Sequence, residues 1–287
     1  MKIIRAAHMG MCFGVRDAVA LALERSAQRP LSIMGDLVHN ETVLARLQAT
    51  GVKVSRDERE IAPGSDVMIT AHGASERTIE ALRERGLNVI EATCPLVHAA
   101  HRAVKQLVAD GFHPIIIGKR DHVEVRGLTG DLAEFDVVLE ESDIAQLPAR
   151  ERFGIAAQTT QPIERVRRLV KLVAERFPQA QVRFVDTVCQ PTKQRQQAAI
   201  DMAQRSDAVI VVGGAHSNNT RELVQTCSQH CARVHHARDA SDLRLEWFHG
   251  AQTIGITAGT STPDSVIDEV EKRLEEMTGA GQLQLPA

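Results

Sequence analysis

The chain has 287 residues, 43% of them hydrophobic, and a formal net charge of −3. A chain of this length can bury several cores, while its charge predicts no nucleic-acid partner. No apolar run approaches the roughly 18–20 residues that span a bilayer, and the N-terminus lacks the apolar core of a signal peptide. We therefore expect a cytoplasmic protein with no membrane partner.

Apolar runs typical of short strands alternate along the chain with amphipathic stretches typical of helices. The first helical stretch has apolar residues at i, i+3, i+4 and i+7, namely Val15, Ala18, Val19 and Ala22. Three later apolar runs end at glycines: LSIMG at Gly35, HPIIIG at Gly118 and VIVVG at Gly213. This alternation predicts βαβ units and mainly parallel sheets, in which ligands bind beyond the carboxyl ends of the strands.

The pattern repeats three times along the chain. Four residues beyond each of the three glycines is a polar side chain: His39, His122 and Ser217. A second set of loops, TAHGAS, AAQTTQ and TAGTST, aligns without a gap and predicts a common register for His72, Gln158 and Gly259. The third repeat lacks its last strand, which residues 1–11 supply. We predict an α/β protein of three pseudo-threefold-related subdomains, at 12–94, 95–189 and 190–287, the last completed by 1–11.

One cysteine lies at the equivalent strand-to-helix turn of each repeat. Cys12, Cys94 and Cys189 are 82 and 95 residues apart, so they divide the chain nearly into thirds. A single such cysteine is usually a small buried hydrophobic residue, but three equivalent ones can converge and bind a central iron–sulfur cluster. Zinc is the alternative, although it normally takes ligands in close pairs and none of the three has a CxxC partner. Three thiolates leave one iron of a [4Fe–4S] cluster open to a substrate.

The other two cysteines, Cys227 and Cys231, are four residues apart and so share one helix face. Three histidines are close in sequence, at His230, His235 and His236, which keeps a second metal site open as an alternative. Packing in the core is the more common role of such cysteines, and we favour it here.

Two loops have the composition of an anion site. The polar residues just before or at the start of two helical stretches are Ser217, Asn218, Asn219 and Ser261. Backbone N–H groups at helix starts attract anions, and His39 and His72 add donors that can be cationic near neutral pH. Helix capping is the alternative for each side chain alone, but together they predict a phosphate or diphosphate ligand. The chain has no GxxxxGK[ST] sequence, so a P-loop that binds a nucleotide is not predicted.

Glu124 is the candidate proton donor. It has the position in the second repeat that Asn219 has in the third, so we expect it to point into the same site. His122 and Thr159 of the QTT turn could complete a proton relay, and burial beside a diphosphate would raise the pKa of the Glu124 carboxyl. A solvated loop charge is the alternative, since Glu41 has the same position in the first repeat.

In combination these motifs resemble the 4-hydroxy-3-methylbut-2-enyl diphosphate reductase family of the methylerythritol phosphate pathway to isoprenoids, from about Ile3 to Met277. The motifs are GxCxGV at Cys12, LVHN at His39, TAHG at His72, ATCPLV at Cys94, HxEV at Glu124, QTT at Thr159, the turn at Cys189, SNN at Ser217 and TAGTSTPD at Ser261. The resemblance implies that Cys12, Cys94 and Cys189 hold the cluster and that Glu124, Thr159 and His122 serve the substrate hydroxyl. It implies that the diphosphate is bound by His39, His72, His122, Ser217, Asn218, Asn219 and Ser261.

The activity that the resemblance implies is a reductive dehydroxylation. The substrate hydroxyl would bind the open iron of a [4Fe–4S] cluster, and a proton through Glu124 with two electrons would expel it as water. Isopentenyl and dimethylallyl diphosphate would be the products. The implied electron donor is a ferredoxin or flavodoxin, which would dock near the cluster.

The chain departs from the family pattern at three places. The usual Pro-Arg-Gly-aromatic approach to the first cysteine is replaced by His8, Met9, Gly10 and Met11. Val123 replaces a proline that stiffens its turn, and Asn218 replaces a common serine. A related enzyme acting on another allylic alcohol, a non-redox iron–sulfur dehydratase, and a cluster-bearing sensor or binding protein therefore remain open alternatives.

Overall fold

The computed structural model describes residues 1–282 except Asp36, His39 and Arg56, and it leaves undescribed the side chains of Glu58 and residues 280–282. The strands are β1 (Lys2–Arg5), β2 (Leu31–Met34), β3 (Lys53–Ser55), β4 (Asp66–Ile69), β5 (Asn88–Glu91), β6 (His113–Ile117), β7 (Asp136–Val138), β8 (Arg152–Ala157), β9 (Gln181–Phe184), β10 (Ala208–Val212), β11 (Val234–Ala237) and β12 (Thr253–Ala258). The α-helices are α1 (Phe13–Ser26), α2 (Glu41–Ala49), α3 (Glu76–Glu84), α4 (Pro95–Ala109), α5 (Val123–Thr129), α6 (Glu141–Ile144), α7 (Ile163–Arg176), α8 (Gln190–Ala203), α9 (Asn218–Ser228) and α10 (Asp264–Gln282). Short 3-10 helices cover Glu58–Glu60, Ala240–Asp242 and Leu245–Phe248.

These strands form three four-stranded sheets, in the orders β3-β2-β4-β5, β7-β6-β8-β9 and β1-β12-β10-β11. Each strand pairing is parallel. The prediction of an α/β protein with three parallel-sheet subdomains is confirmed. The boundaries at 12–94, 95–189 and 190–287 stay a prediction.

One compact unit comprises Met1–Val15, Val38–Val43 and Gln190–Ala287. In its sheet β1 pairs with β12, with Ile3 opposite Ile254, so the N-terminal segment does supply the missing strand of the third repeat. Side chains alternate across β10. Ile210 faces a core with α10, whereas Val211 faces a core with α8 and α9.

The second compact unit comprises Arg16–Leu37 and Leu44–Cys189 and contains the other two sheets. Helices cover both faces of the sheet around β6, which is why β6 is a nearly continuous apolar run. Ile115 and Ile117 pack in a core with α7, and Ile116 packs in a core with α4.

Because the strands are parallel, the loops that carry the candidate site residues leave each sheet at the same edge. Within each sheet the carboxyl ends of the strands lie at one edge. The loops that follow β6 and β8 therefore leave the same edge of one sheet, and those that follow β10 and β12 leave the same edge of another.

The first repeat departs from the predicted gapless alignment. The amides of Gln158 and Gly259 donate to the carbonyls of Ile117 and Val212, both at 2.9 Å, so these two residues share the predicted register. His72 does not, because its amide donates to Thr70 Oγ1 at 3.3 Å instead. β4 is two residues shorter than β8 and β12. The loop that follows it is one residue longer, since α3 begins seven residues after Ile69, whereas α7 and α10 begin six residues after the ends of their strands.

Candidate active site

Each predicted cluster ligand lies directly before the first residue of a helix. Cys12 precedes α1, Cys94 precedes α4 and Cys189 precedes α8, as the sequence predicts. All three are thiols of intermediate exposure. Cys94 is the N-cap residue of α4, followed by Pro95 at the first helical position. A helix start is a favourable place for a thiolate because the helix dipole stabilises negative charge there.

Backbone hydrogen bonds hold each cysteine to the loop that follows a central strand. The amides of Cys12 and Cys189 donate to the equivalent carbonyls of Thr260 and Thr159, both at 3.0 Å. The amide of Cys94 donates to the carbonyl of Ala71 at 3.1 Å. Ala71 lies two residues before the position of the first repeat that aligns with Thr159 and Thr260. The backbone at these turns is thus fixed independently of any bound group.

The three predicted cluster ligands belong to two different compact units. Cys12 belongs to the unit that contains the N-terminus, and Cys94 and Cys189 belong to the other. Among the described residues within either unit, no group of three or more His, Cys, Asp or Glu side chains is close enough to hold a metal ion. The three-cysteine ligand set stays a prediction.

Cys227 and Cys231 lie in a hydrophobic core, as the packing interpretation predicts. Cys227 is fully buried and Cys231 is 8% exposed, and both pack in the core with Met202 and Leu223. Burial raises the pKa of the Cys227 thiol to about 12. A thiol that stays protonated is a poor metal ligand.

Glu124 is the second residue of α5 and its side chain is only 1% exposed. The amide of Thr159 donates to Oε1 at 2.6 Å, and the Thr159 hydroxyl hydrogen-bonds Oε2 at 3.1 Å. Burial raises the pKa of this carboxyl to about 7, because the loss of water outweighs the two hydrogen bonds from Thr159. The alternative of a solvated loop charge is therefore wrong for Glu124.

The two carboxyl oxygens of Glu124 have different hydrogen-bond partners. Oε1 is committed to a backbone N–H, so the proton of the neutral acid belongs on Oε2, beside the Thr159 hydroxyl. A hydroxyl both accepts and donates, so Thr159 can receive a proton from Glu124 and donate its own to a third group. The Thr159 carbonyl also accepts the Cys189 amide, which places this acid close to one predicted ligand.

His72 and His122 lie beside each other in the same unit. Their ring centroids are 5.3 Å apart with the rings nearly perpendicular. His122 caps α5, its Nδ1 accepting from the Glu124 amide at 3.2 Å. An accepting Nδ1 leaves the proton of a neutral ring on Nε2, which makes that atom a donor. His39, the third predicted histidine, lies outside the described residues.

The other unit holds the predicted serine and asparagine donors. Ser217 caps α9, its hydroxyl accepting from the Thr220 amide at 3.3 Å, while Asn219 Oδ1 accepts from the Thr260 amide at 2.9 Å. Ser261, 5% exposed, lies in the loop that Asn219 fixes. Asn218 Nδ2 is buried and has no hydrogen-bond partner in the described part of the chain. A buried donor without a partner is costly unless a ligand accepts from it.

Thr220 is a residue of this site that the sequence analysis missed. It is 1% exposed, and its Oγ1 lies 2.3 Å from the point where a side chain on Gly259 would begin. The close packing of Thr220 against Gly259 holds the start of α9 against the loop of Ser261. A threonine directly after the SNN motif was the only available signal.

Glu124 makes the stability of the native state depend on pH. A carboxyl whose pKa rises on folding stabilises the native state fully below its unfolded value of 4.5, and that contribution is lost as pH rises through about 7. We expect Glu124→Gln, which keeps the shape without the charge, to match the wild type at pH 4.5. At pH 8.5 its free energy of unfolding should be higher by on the order of 3 kcal/mol. Denaturant titrations at both pH values measure this, and equal differences at the two pH values would contradict the raised pKa.

The chain is similar to known proteins over nearly its whole length. A family profile described as LytB protein matches residues 3–275. The chain belongs to the LytB family. The motifs between Ile3 and Met277 predicted a resemblance to 4-hydroxy-3-methylbut-2-enyl diphosphate reductases. This prediction is confirmed, because similar proteins carry that name.

Two LytB relatives illustrate the likeness in sequence. The 4-hydroxy-3-methylbut-2-enyl diphosphate reductase of Aquifex aeolicus is 39% identical over 289 residues, covering 99% of each chain. That of Geobacter sulfurreducens is 37% identical, covering 96% of this chain and 98% of the relative. No helix in the described ranges has the length and apolar character needed to cross a membrane.

Solved structures of LytB relatives agree in fold. A structure of (E)-4-hydroxy-3-methyl-but-2-enyl diphosphate reductase, the terminal enzyme of the non-mevalonate pathway, is 38% identical with a TM-score of 0.69, covering 96% of this chain and 99% of that one. The Plasmodium falciparum E-1-hydroxy-2-methyl-but-2-enyl-4-diphosphate reductase is 25% identical with a TM-score of 0.89, covering 96% and 88%.

Proposed function

We propose that this chain is a reductase of 4-hydroxy-3-methylbut-2-enyl diphosphate, the activity for which its relatives are named. The C–O bond of the allylic alcohol breaks, the oxygen leaves as water, and two electrons with two protons complete the balance. The observation that carries the proposal is the buried Glu124, whose pKa is raised to about 7 and which is hydrogen-bonded to Thr159, whose carbonyl accepts the Cys189 amide. Simple binding of a diphosphate has no need of a buried acid.

Cys12, Cys94 and Cys189 would hold an iron–sulfur cluster, which we infer to be [4Fe–4S] with one iron not ligated by the protein. The donor set fits, because all three are thiols, each directly precedes a helix and each has its backbone fixed by a hydrogen bond. When bound, the cluster supplies electrons one at a time and a Lewis-acid position for the substrate oxygen. A ferredoxin or flavodoxin is the electron donor that we propose.

The protein supplies one of the protons through Glu124. The neutral acid holds its proton on Oε2 and passes it through the Thr159 hydroxyl to the departing oxygen. The His122 ring, fixed by the Glu124 amide, presents Nε2 as a further donor beside the same turn. Protonation of carbon at either end of the allyl group then gives isopentenyl or dimethylallyl diphosphate.

The diphosphate is assigned to the donors that the sequence predicts. Ser217, Asn218 and Asn219 lie at the start of α9, where backbone N–H groups and the helix dipole favour an anion. The buried Asn218 Nδ2 supports this assignment because an anionic oxygen would satisfy it. The remaining proposed donors are Ser261, His39, His72 and His122.

Ser217→Ala is expected to weaken diphosphate binding rather than only the helix cap. Ser75→Ala is a matched control, because Ser75 caps α3 through the same contact, accepting from the Thr78 amide. Both variants should lose about 1 kcal/mol of stability. Only Ser217→Ala should raise the Kd for inorganic diphosphate, by roughly 10-fold or more. Calorimetric titration measures this, and equal Kd values for the two variants would leave Ser217 as a cap alone.

Product analysis tests the proposed activity directly. Cluster-loaded protein is incubated anaerobically with the substrate and a chemical reductant, and the diphosphates formed are identified by mass spectrometry. We expect isopentenyl and dimethylallyl diphosphate. A loaded cluster with unchanged substrate would overturn the proposed substrate while leaving the thiol assignment intact.

A further inference from the structure

Arg195 connects the chain beside one predicted cluster ligand with the chain beside another. Its Nε donates to the carbonyl of Gly10 at 3.0 Å, and its Nη1 donates to the carbonyl of Pro191 at 3.1 Å. Gly10 lies two residues before Cys12, and Pro191 lies two residues after Cys189. One half-buried guanidinium therefore touches the backbone next to two thiols that are 177 residues apart in sequence.

The Gly10 turn has a fixed shape for this contact. Its φ of +70° lies in the left-handed region, and a side chain there would begin 2.8 Å from Ile267 Cδ1, so only glycine fits. The Gly10 amide donates to the Ala258 carbonyl at 3.1 Å. Because the turn is anchored on both sides, the bond from Arg195 joins a rigid segment to α8 rather than following a mobile one.

We propose that Arg195 is a positioning residue for the iron–sulfur cluster, an inference that rests on the proposed function. It holds the Cys12 turn against the start of α8 and contributes positive charge beside both cysteine segments. Three thiolates make the bound cluster net negative, and each electron that it accepts adds further negative charge. A nearby cation stabilises the reduced form, so Arg195 raises the reduction potential and slows loss of the cluster.

Two substitutions separate these contributions. Arg195→Met removes both the positive charge and the hydrogen-bond donors. Arg195→Lys keeps the charge but replaces the planar guanidinium, which makes both contacts, with an ammonium group. Anaerobically purified, cluster-loaded protein is titrated with dithionite and redox mediators to obtain the midpoint potential. Release of iron to a chelator is followed separately.

We expect Arg195→Met to lower the midpoint potential and to release iron about 10-fold faster or more. Arg195→Lys should keep a potential near that of the wild type but release iron faster. If Arg195→Met fails to fold, Arg195→Gln, which also removes the charge, takes its place. A purely structural arginine would change the unfolding temperature without moving the potential.

Arg205→Met is the matched control. Arg205 lies two residues after the end of α8, and its Nε donates to the Asp201 carbonyl at 2.8 Å, but neither residue is close in sequence to a predicted ligand. It should leave both the potential and the release rate unchanged. Wild-type values for Arg195→Met and Arg195→Gln, in protein whose wild type binds a cluster and turns over, would overturn this inference alone. A wild type that binds no cluster would overturn the proposed function with it.

Discussion

Glu124→Gln is expected to lower the rate of turnover severely while leaving the cluster in place. The glutamine keeps the two contacts with Thr159, since its oxygen can accept from the Thr159 amide and its amide group can donate to the hydroxyl. It has no acidic proton to transfer. Loss of a positioned acid costs about 10²–10⁴-fold in rate. Steady-state rates of reductant oxidation, with absorbance of the cluster recorded in the same sample, measure both parts of this result.

The pH profile gives the same assignment an independent test. The pKa of Glu124 is raised to about 7, so the proton-donating form is present below that pH and is lost as pH rises through it. We expect kcat to fall over this range in the wild type. Thr159→Val serves as the companion variant, because it removes the hydroxyl that relays the proton while retaining the backbone N–H that binds Oε1. Wild-type kcat in Glu124→Gln would exclude Glu124 as the donor.

Removal of any one predicted ligand thiol is expected to prevent stable cluster binding. Cys12→Ala, Cys94→Ala and Cys189→Ala each leave two protein ligands. We expect at least roughly 10-fold less bound iron than in the wild type, with matching loss of the iron–sulfur absorbance and of turnover. Iron and sulfide analysis after anaerobic reconstitution measures the content.

Cys227→Ala is the control for these three variants. The Cys227 thiol is fully buried in a hydrophobic core and its pKa is about 12, so we expect it to take no part in metal binding. The variant should lose some stability through the smaller side chain, while its iron content stays that of the wild type. If Cys227→Ala lost the cluster and Cys12→Ala kept it, the ligand assignment would be wrong.

The repeat explains why so much could be predicted from sequence. A residue at the same turn of three copies has its position set by covalent spacing, so Cys12, Cys94 and Cys189 could be placed before helices without a structure. The sequence likewise paired Glu124 with Thr159 of the QTT turn, and the two are hydrogen-bonded. The first repeat violates the shared spacing, and there the predicted register of His72 was wrong because β4 is shorter than β8 and β12 and the His72 amide donates to Thr70 Oγ1.

Contacts between distant segments without a repeat could not be predicted. Arg195 and Gly10 are 185 residues apart, and no periodicity relates them. Thr220 packs against Gly259 because the start of α9 meets the loop that follows β12, which depends on the approach of backbones rather than on residue type. The sequence predicted that burial would raise the pKa of Glu124, but the value of about 7 required the structure, because a motif does not record how completely a side chain is buried.

The measurement that tests the proposed chemistry most directly is the number of electrons consumed per product. Cluster-loaded wild-type protein is supplied anaerobically with reduced methyl viologen and 4-hydroxy-3-methylbut-2-enyl diphosphate, and oxidised dye is compared with the isopentenyl and dimethylallyl diphosphate formed. Because viologen carries one electron and the dehydroxylation needs two, we expect two dye molecules to be oxidised for each product molecule. Loss of the hydroxyl with no dye oxidised would contradict reduction and establish a non-redox dehydratase instead.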